Sequence, residues 1–148
     1  MSITKYIILK NDPKYTPCLA DTGDELYRNG IFEFNITKIF NFIENNKVKF
    51  ELQPFAVKDY RAGLSNIKKK HVASVDVSKP IILIEMSPAI YIVIDGHHRL
   101  EKARTDGITS VMAYRLTVKQ FLPFMTSVKA YCEYIKYWNS KVRGKYAV

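Results

Sequence analysis

Apolar positions along the chain change their period several times, and each change marks an element. Ile3 to Lys10 carries Tyr6-Ile7-Ile8-Leu9, a short run that predicts a strand. Asn11 to Asp24 contains two prolines and a glycine and reads as loop, and Asn29-Gly30 marks a turn. Ile36, Ile39, Phe40 and Ile43 then recur at helical spacing, with Asn35 placed to cap the helix and Asn45-Asn46 to end it. Val48, Phe50 and Leu52 alternate as in a strand. Val57, Tyr60, Leu64 and Ile67 return to helical spacing. They predict a helix over 57–70 whose lysines, Lys68 to Lys70, lie at the end that favours cations.

The second half is more sharply punctuated. Pro80 precedes Ile81-Ile82-Leu83-Ile84, a β-branched run typical of a buried strand. Ser87-Pro88 makes a turn, and Ala89 to Ile94 forms a second apolar strand, so 81–94 reads as a hairpin. Asp95-Gly96 breaks the strand. His97 to Asp106 is a predicted helix with Leu100 and Ala103 inward, stopped by Gly107. Ser110 to Leu116 is another strand. Thr117 and Gln120 form a capping box that starts a helix running to about Phe124. Val128, Tyr131, Ile135 and Trp138 give a final amphipathic helix. There is no internal repeat, low-complexity linker or domain boundary. The fold class this predicts is α/β: one domain over 1–148, with a small mixed β-sheet, flanking helices and a C-terminal helical addition over 118–148.

Composition agrees with that picture. The chain has 148 residues, 47% of them apolar and 25% charged, as a globular domain does. A chain of this size buries roughly 70% of its unfolded surface, so a core forms without staples. Cys18 and Cys132 stand far apart and outside any CxxC spacing, which supports neither zinc nor a disulfide framework. The N-terminal apolar run is too short for a signal peptide. Glu85, Ser87 and Pro88 interrupt the longest apolar stretch, so it does not span a bilayer. These features predict a reduced, cytoplasmic protein with no membrane partner.

Charge narrows the partners less than its size suggests. The excess of 23 Lys and Arg over 14 Asp and Glu gives +9. Residues 1–74 hold 12 basic and 8 acidic side chains and residues 75–148 hold 11 and 6, so neither half is a basic arm. Two concentrations stand out: Lys68-Lys69-Lys70-His71, and a tail with Lys136, Lys141, Arg143 and Lys145. They read either as solvated surface or, if they share a face, as a DNA footprint. Tyr131, Tyr134, Tyr137 and Trp138 interleave with Lys129, Lys136 and Lys141. Such a helix either covers the core or a second copy in a homodimer, or stacks on single-stranded nucleic acid.

One segment carries chemistry: Ile94-Asp95-Gly96-His97-His98-Arg99-Leu100. A buried strand runs through Asp-Gly straight into a helix, whose first turn has unpaired N–H groups and partial positive charge. Gly96 admits close approach to the backbone. Arg99 offers a planar fork for phosphate oxygens. The expected phosphate-binding set is Gly96, His97, His98 and Arg99, with Asp95, His97 and His98 as catalytic candidates. Asp95 would repel a bare anion. It makes sense as a ligand for Mg²⁺ bridging to phosphates, or as a base toward a hydroxyl. The expected cofactors are thus Mg²⁺ and a nucleoside di- or triphosphate. A purely structural alternative has Asp95 capping the helix, His98 packed and Arg99 in an i, i+4 or interdomain salt bridge. Adjacent histidines point about 100° apart on a helix, so His97 and His98 do not form a zinc site.

The strand, Asp95-Gly96-His97-His98-Arg99, Leu100-Glu101-Lys102-Ala103 followed at Gly107, and the closing strand Val111-Met112-Ala113-Tyr114 together resemble the core of the ParB/sulfiredoxin-like superfamily, often labelled ParB-like nuclease domain. The resemblance covers residues 72–117, with 48–71 compatible. It implies a strand–loop–helix that holds nucleotide phosphates. CTP-binding partition proteins carry Gly-Glu-Arg-Arg here, against which Gly96 and Arg99 match and His97 replaces the Glu. They append a helix-turn-helix domain, for which about 30 residues leave no room. Sulfiredoxins carry Gly-Cys-His-Arg, and His97 replaces the nucleophilic Cys. Free-serine kinases of the group carry Asp-Gly-His-(Thr or His)-Arg, which matches Asp95 to Arg99 throughout. Those kinases also use a glutamate well upstream, where this chain has Asp59-Tyr60-Arg61 and no glutamate; Glu51 and Asp59 are the substitutes at hand. The function implied is a nucleotide- or phosphate-binding protein acting as a Mg-dependent phosphotransferase or nucleotide hydrolase. The alternatives are a DNA-binding or nuclease-like module and a catalytically inert interaction protein.

Overall fold

The computed structural model describes residues 6–60 and 78–146, with side chains through 144. The fold is α/β, with one four-stranded mixed sheet and one two-stranded sheet. Strands β1 (Leu26–Asn29) and β2 (Phe32–Asn35) form a hairpin that turns at Asn29-Gly30 and leads into α1 (Ile36–Asn45). Strands β3 (Leu52–Ala56), β4 (Ile81–Ser87), β5 (Ile90–Asp95) and β6 (Ser110–Leu116) build the larger sheet in the order β3-β6-β4-β5. Helix α2 (His97–Thr105) joins β5 to β6, and α3 (Val118–Phe121) and α4 (Val128–Tyr146) follow. Only β4 and β6 run parallel.

Strand β4 is buried at all seven positions, as its unbroken apolar run requires. Alternate residues face opposite layers. Ile81 and Leu83 join Val57, Leu100, Ala103, Val111 and Ala113 under α2. Ile82, Ile84 and Met86 join the larger cluster with Phe34, Ile39, Phe121, Tyr134 and Trp138. The C-terminal helices are therefore part of the main core. Tyr134 is buried and donates its hydroxyl to the Met86 carbonyl at 2.6 Å. Burial raises its pKa well above the usual phenol range. Tyr131 and Trp138 are buried with it, so these three rings belong to the core, while Tyr137 is half-buried.

Most boundaries follow from local chemistry. Asn35 caps α1, its side chain accepting from the Lys38 N–H at 3.0 Å. Gly107 ends α2 at φ +72° in a Schellman arrangement, with Gly107 N–H donating to Arg104 and Ile108 N–H to Ala103. Thr117 and Gln120 form the expected capping box. Pro54 sits in β3, an edge strand, where a missing donor is tolerated.

Three expectations need correction or fall outside view. Val48, Phe50 and Leu52 do not share a strand. Lys47–Lys49 is a 3-10 turn, and Val48 is fully exposed. The register explains why: Leu52 pairs with Tyr114, and extending it would set Val48 against Val118, already in α3. Residues 6–10 of the predicted N-terminal strand run outside any sheet; 1–5 lie outside the described residues. Their anchor is instead Asn139, which is buried and takes both polar groups of Leu9, at 2.8 and 2.9 Å. Of the helix expected over 57–70, Val57–Asp59 is a single 3-10 turn, and the rest, with Lys68 to Lys70, lies outside the described residues.

Removing the Asn139 clamp leaves the Leu9 N–H and C=O unpaired against the helix. Asn139→Ala is expected to lower the unfolding free energy by about 1–3 kcal/mol, read by urea denaturation with an unchanged m-value.

Candidate functional site

The end of β5 and the start of α2 meet where the sequence places them. Asp95 is the last residue of β5, Gly96 is the N-cap at φ +108°, and the first helical bond runs from Leu100 N–H to the Gly96 carbonyl at 2.9 Å. The N–H groups of His97, His98 and Arg99 thus have no partner within the helix. Asp95 does not cap α2, which has no side-chain cap. It faces Arg99 one turn on, with Oδ2 3.0 Å from Nη2, and both side chains are largely buried at 22% and 18% exposure. The repulsion between Asp95 and an anion is thereby offset within the loop.

Gly96 has a different reason from the one its sequence context suggests. A Cβ built there would lie 2.4 Å from Ile81 Cγ2 and 2.8 Å from Ile81 Cβ. The side that a side chain would occupy is filled by β4, so glycine seats the helix on the sheet. Its positive φ adds a second demand that L-residues meet poorly.

His97 is held from two sides. The Tyr60 hydroxyl lies 3.1 Å from Nδ1, and the Tyr27 ring lies nearly parallel to the imidazole with centroids 6.2 Å apart. Burial lowers the His97 pKa, opposed by the Asp95 carboxylate and the Val93 carbonyl and reinforced by His98. Which atom donates in the Tyr60–Nδ1 contact follows from the tautomer of the ring. Among the described residues His97 Nε2 is buried without a hydrogen-bond partner, and so is Nε of Arg99. Buried polar nitrogens are normally paired, so two of them beside a helix N-terminus mark a place for a polar partner. His98 is half-buried in the same turn.

The structure also brings in residues that the motif does not contain. Glu25, just before β1, is fixed through its backbone: its carbonyl accepts from Ile36 N–H at 2.9 Å and its N–H donates to Thr37 Oγ1 at 2.8 Å. Glu25 keeps an exposed surface, yet protein crowds its carboxyl. Desolvation raises its pKa, the Asp95 charge raises it further, and Arg99 lowers it. An upstream glutamate therefore lies within electrostatic reach of the loop, 70 residues before it in sequence. Tyr27 and Tyr60 were equally invisible as site residues, since both fit helix or strand patterns. Only the capping of α1 by Glu25 left a local trace, in Asn35 and Thr37. Glu51 and Asp59 are exposed, and the structure records no contact of either with the loop.

Magnesium needs few protein ligands when phosphates supply the rest, usually one or two carboxylates. Asp95, with Oδ1 outside the Arg99 bond and Glu25 close enough to couple to it, meets that demand. Among the described residues no group of three or more His, Cys, Asp or Glu side chains forms a metal site by itself. Nor is any helix there long and apolar enough to cross a membrane. No family model, curated protein or solved structure matches the chain.

Two outcomes test this geometry. Gly96→Ala is expected to cost about 2 kcal/mol or more, because Ile81 or the helix has to shift; thermal and urea unfolding measure it. Tyr60→Phe removes the group that fixes the imidazole. Imidazole nitrogen chemical shifts should report a single tautomer in the parent and a mixture of tautomers in the variant, with the fold unchanged.

Proposed function

We propose that the Asp95–Arg99 turn binds the phosphate groups of a nucleotide or another phosphorylated small molecule, and that the chain is a ParB/sulfiredoxin-like phosphotransferase or nucleotide hydrolase acting with Mg²⁺. The observation that carries this reading is the pair of buried nitrogens, His97 Nε2 and Arg99 Nε, that have no hydrogen-bond partner among the described residues and lie at the N-terminal turn of α2. Helix N–H groups, an imidazole and a guanidinium whose other nitrogen is held by Asp95 together form a donor set. A tetrahedral anion with several oxygens is the ligand class that satisfies such a set.

The roles divide by chemistry. The N–H groups of Gly96, His97 and His98 cradle phosphate oxygens. Arg99 neutralises charge and moves from Asp95 toward the anion. His97 donates from Nε2 to an oxygen that gains charge. Asp95, once released from Arg99, holds the metal or takes a proton from an attacking hydroxyl; Glu25 is the second carboxylate able to accept that proton. Mg²⁺ supplies neutralisation of the phosphate charge when bound. Phosphoryl transfer depends mainly on positioning and electrostatic stabilisation, so a constellation this short is sufficient.

A nucleoside di- or triphosphate with Mg²⁺ is expected to raise the melting temperature, and Arg99→Ala to abolish the rise. Absence of any shift across the common nucleotides, far above micromolar concentration, removes this function. Asp95→Asn separates the two roles of the ion pair. It should bind inorganic pyrophosphate about three- to tenfold more tightly without metal, because Arg99 is freed, and should lose the dependence of nucleotide binding on Mg²⁺. Calorimetry with and without a chelator measures both.

A further inference from the structure

The chain from Ile7 to Lys10 belongs to no sheet, and the bonds of Ile7 and Leu9 to α4 give it the alternation of a strand, which ends before Asp12. One of its backbone edges is filled by side chains of α4. Asn139 bonds both polar groups of Leu9, Trp138 Nε1 donates to the Ile7 carbonyl at 2.9 Å, and the Tyr131 hydroxyl accepts from the Asp12 N–H at 2.9 Å. In an extended chain successive residues direct their N–H and C=O groups to opposite edges. Ile7 and Leu9 face α4, so Ile8 and Lys10 face away from it. Among the described residues no hydrogen bond reaches the backbone of Ile8 or Lys10. Ile7 and Ile8 are also 41% and 46% exposed.

The Ile7–Lys10 segment lines a groove of about 810 Å³ that includes Leu122, Pro123 and Tyr131 in its wall. Three lysines line it, Lys10, Lys14 and Lys119, against one carboxylate, Asp12. Asp12 Oδ1 already accepts from the Lys14 N–H at 2.9 Å. An edge of free amides calls for another extended backbone, and the lysines call for acidic side chains on it. A second copy of the chain fits less well, because pairing edge to edge would bring two sets of these lysines together.

We propose that the Ile7–Lys10 edge binds an extended, acidic peptide segment of a partner protein by strand addition, with alternate acidic side chains directed at Lys10, Lys14 and Lys119. The site is separate from the phosphate loop and does not depend on its function.

The test titrates the full chain with a fluorescein-labelled peptide of about six residues alternating Glu and Val, the length of a usual strand. Two controls are a Lys–Val peptide and the Glu–Val peptide N-methylated at alternate residues, which keeps its charge but cannot pair. The Glu–Val peptide is expected to bind, to slow amide exchange at Ile8 and Lys10, and to outbind both controls by about tenfold or more. Lys10→Glu combined with Lys119→Glu, both at exposed positions, should reverse the preference toward the Lys–Val peptide. Equal binding of the N-methylated peptide overturns strand addition. Concentration-dependent protection of Ile8 and Lys10 without peptide assigns the edge to a second copy. Displacement of the peptide by oligothymidylate, with the N-methylated control bound as well, assigns the groove to nucleic acid. Neither binding nor protection overturns the proposal outright.

Discussion

Strand β4 lies between β5 and β6 and beneath helices on both faces, so all seven of its residues are buried. A backbone buried in this way is stable only if both edges are hydrogen-bonded, and its two neighbours supply those bonds. Each fully buried Ile or Leu contributes roughly 1.5–3 kcal/mol, and Ile81 to Ile84 supply four in succession. Glu85 is the charged exception. It is buried, and its carboxylate accepts from Val118 N–H at 3.3 Å and from Ala89 N–H at 3.4 Å. One side chain thereby ties the hairpin turn to the start of α3.

The same strand sets the position of the candidate site. Ile81 occupies the space a side chain at residue 96 would need, so α2 can begin only from a glycine and only at that height above the sheet. The height brings Arg99 within reach of Asp95 and sets His97 against Tyr60. The opposite wall comes from a distant part of the chain. Asn35 fixes α1, the first turn of α1 fixes the backbone of Glu25, and β1 then presents Tyr27 to His97. Fold and site are joined through two capping events, one of which has no side-chain cap at all.

Elements whose boundaries are encoded locally were legible in the sequence. Strands β4, β5 and β6, helix α2 with its Gly107 stop and α1 with Asn35 all carry their punctuation within a few residues. Elements decided by partners were not. Tyr6-Ile7-Ile8-Leu9 has strand propensity, but a buried asparagine on α4 takes the Leu9 backbone in place of a strand. Val48 has the right alternation but no position left opposite it in β6. The loop Asp95–Arg99 was readable as a candidate site because its residues are contiguous. Glu25, Tyr27 and Tyr60 were not, since only tertiary packing brings them to it.

The two faces of the large sheet differ greatly in depth. Among the described residues the cluster under α2 contains seven buried side chains, and the opposite one contains twenty. Among the described residues, most buried apolar surface therefore lies on the face away from the Asp95–Arg99 loop. Substitutions around Asp95 to Arg99, with Gly96 excepted, draw on the smaller share, and a domain loses its fold only when its total reserve falls below a threshold. The thick face thus acts as a reserve that lets the thin face change. A lineage built on this plan can exchange the chemistry of the loop, and with it the ligand, while the scaffold beneath stays folded.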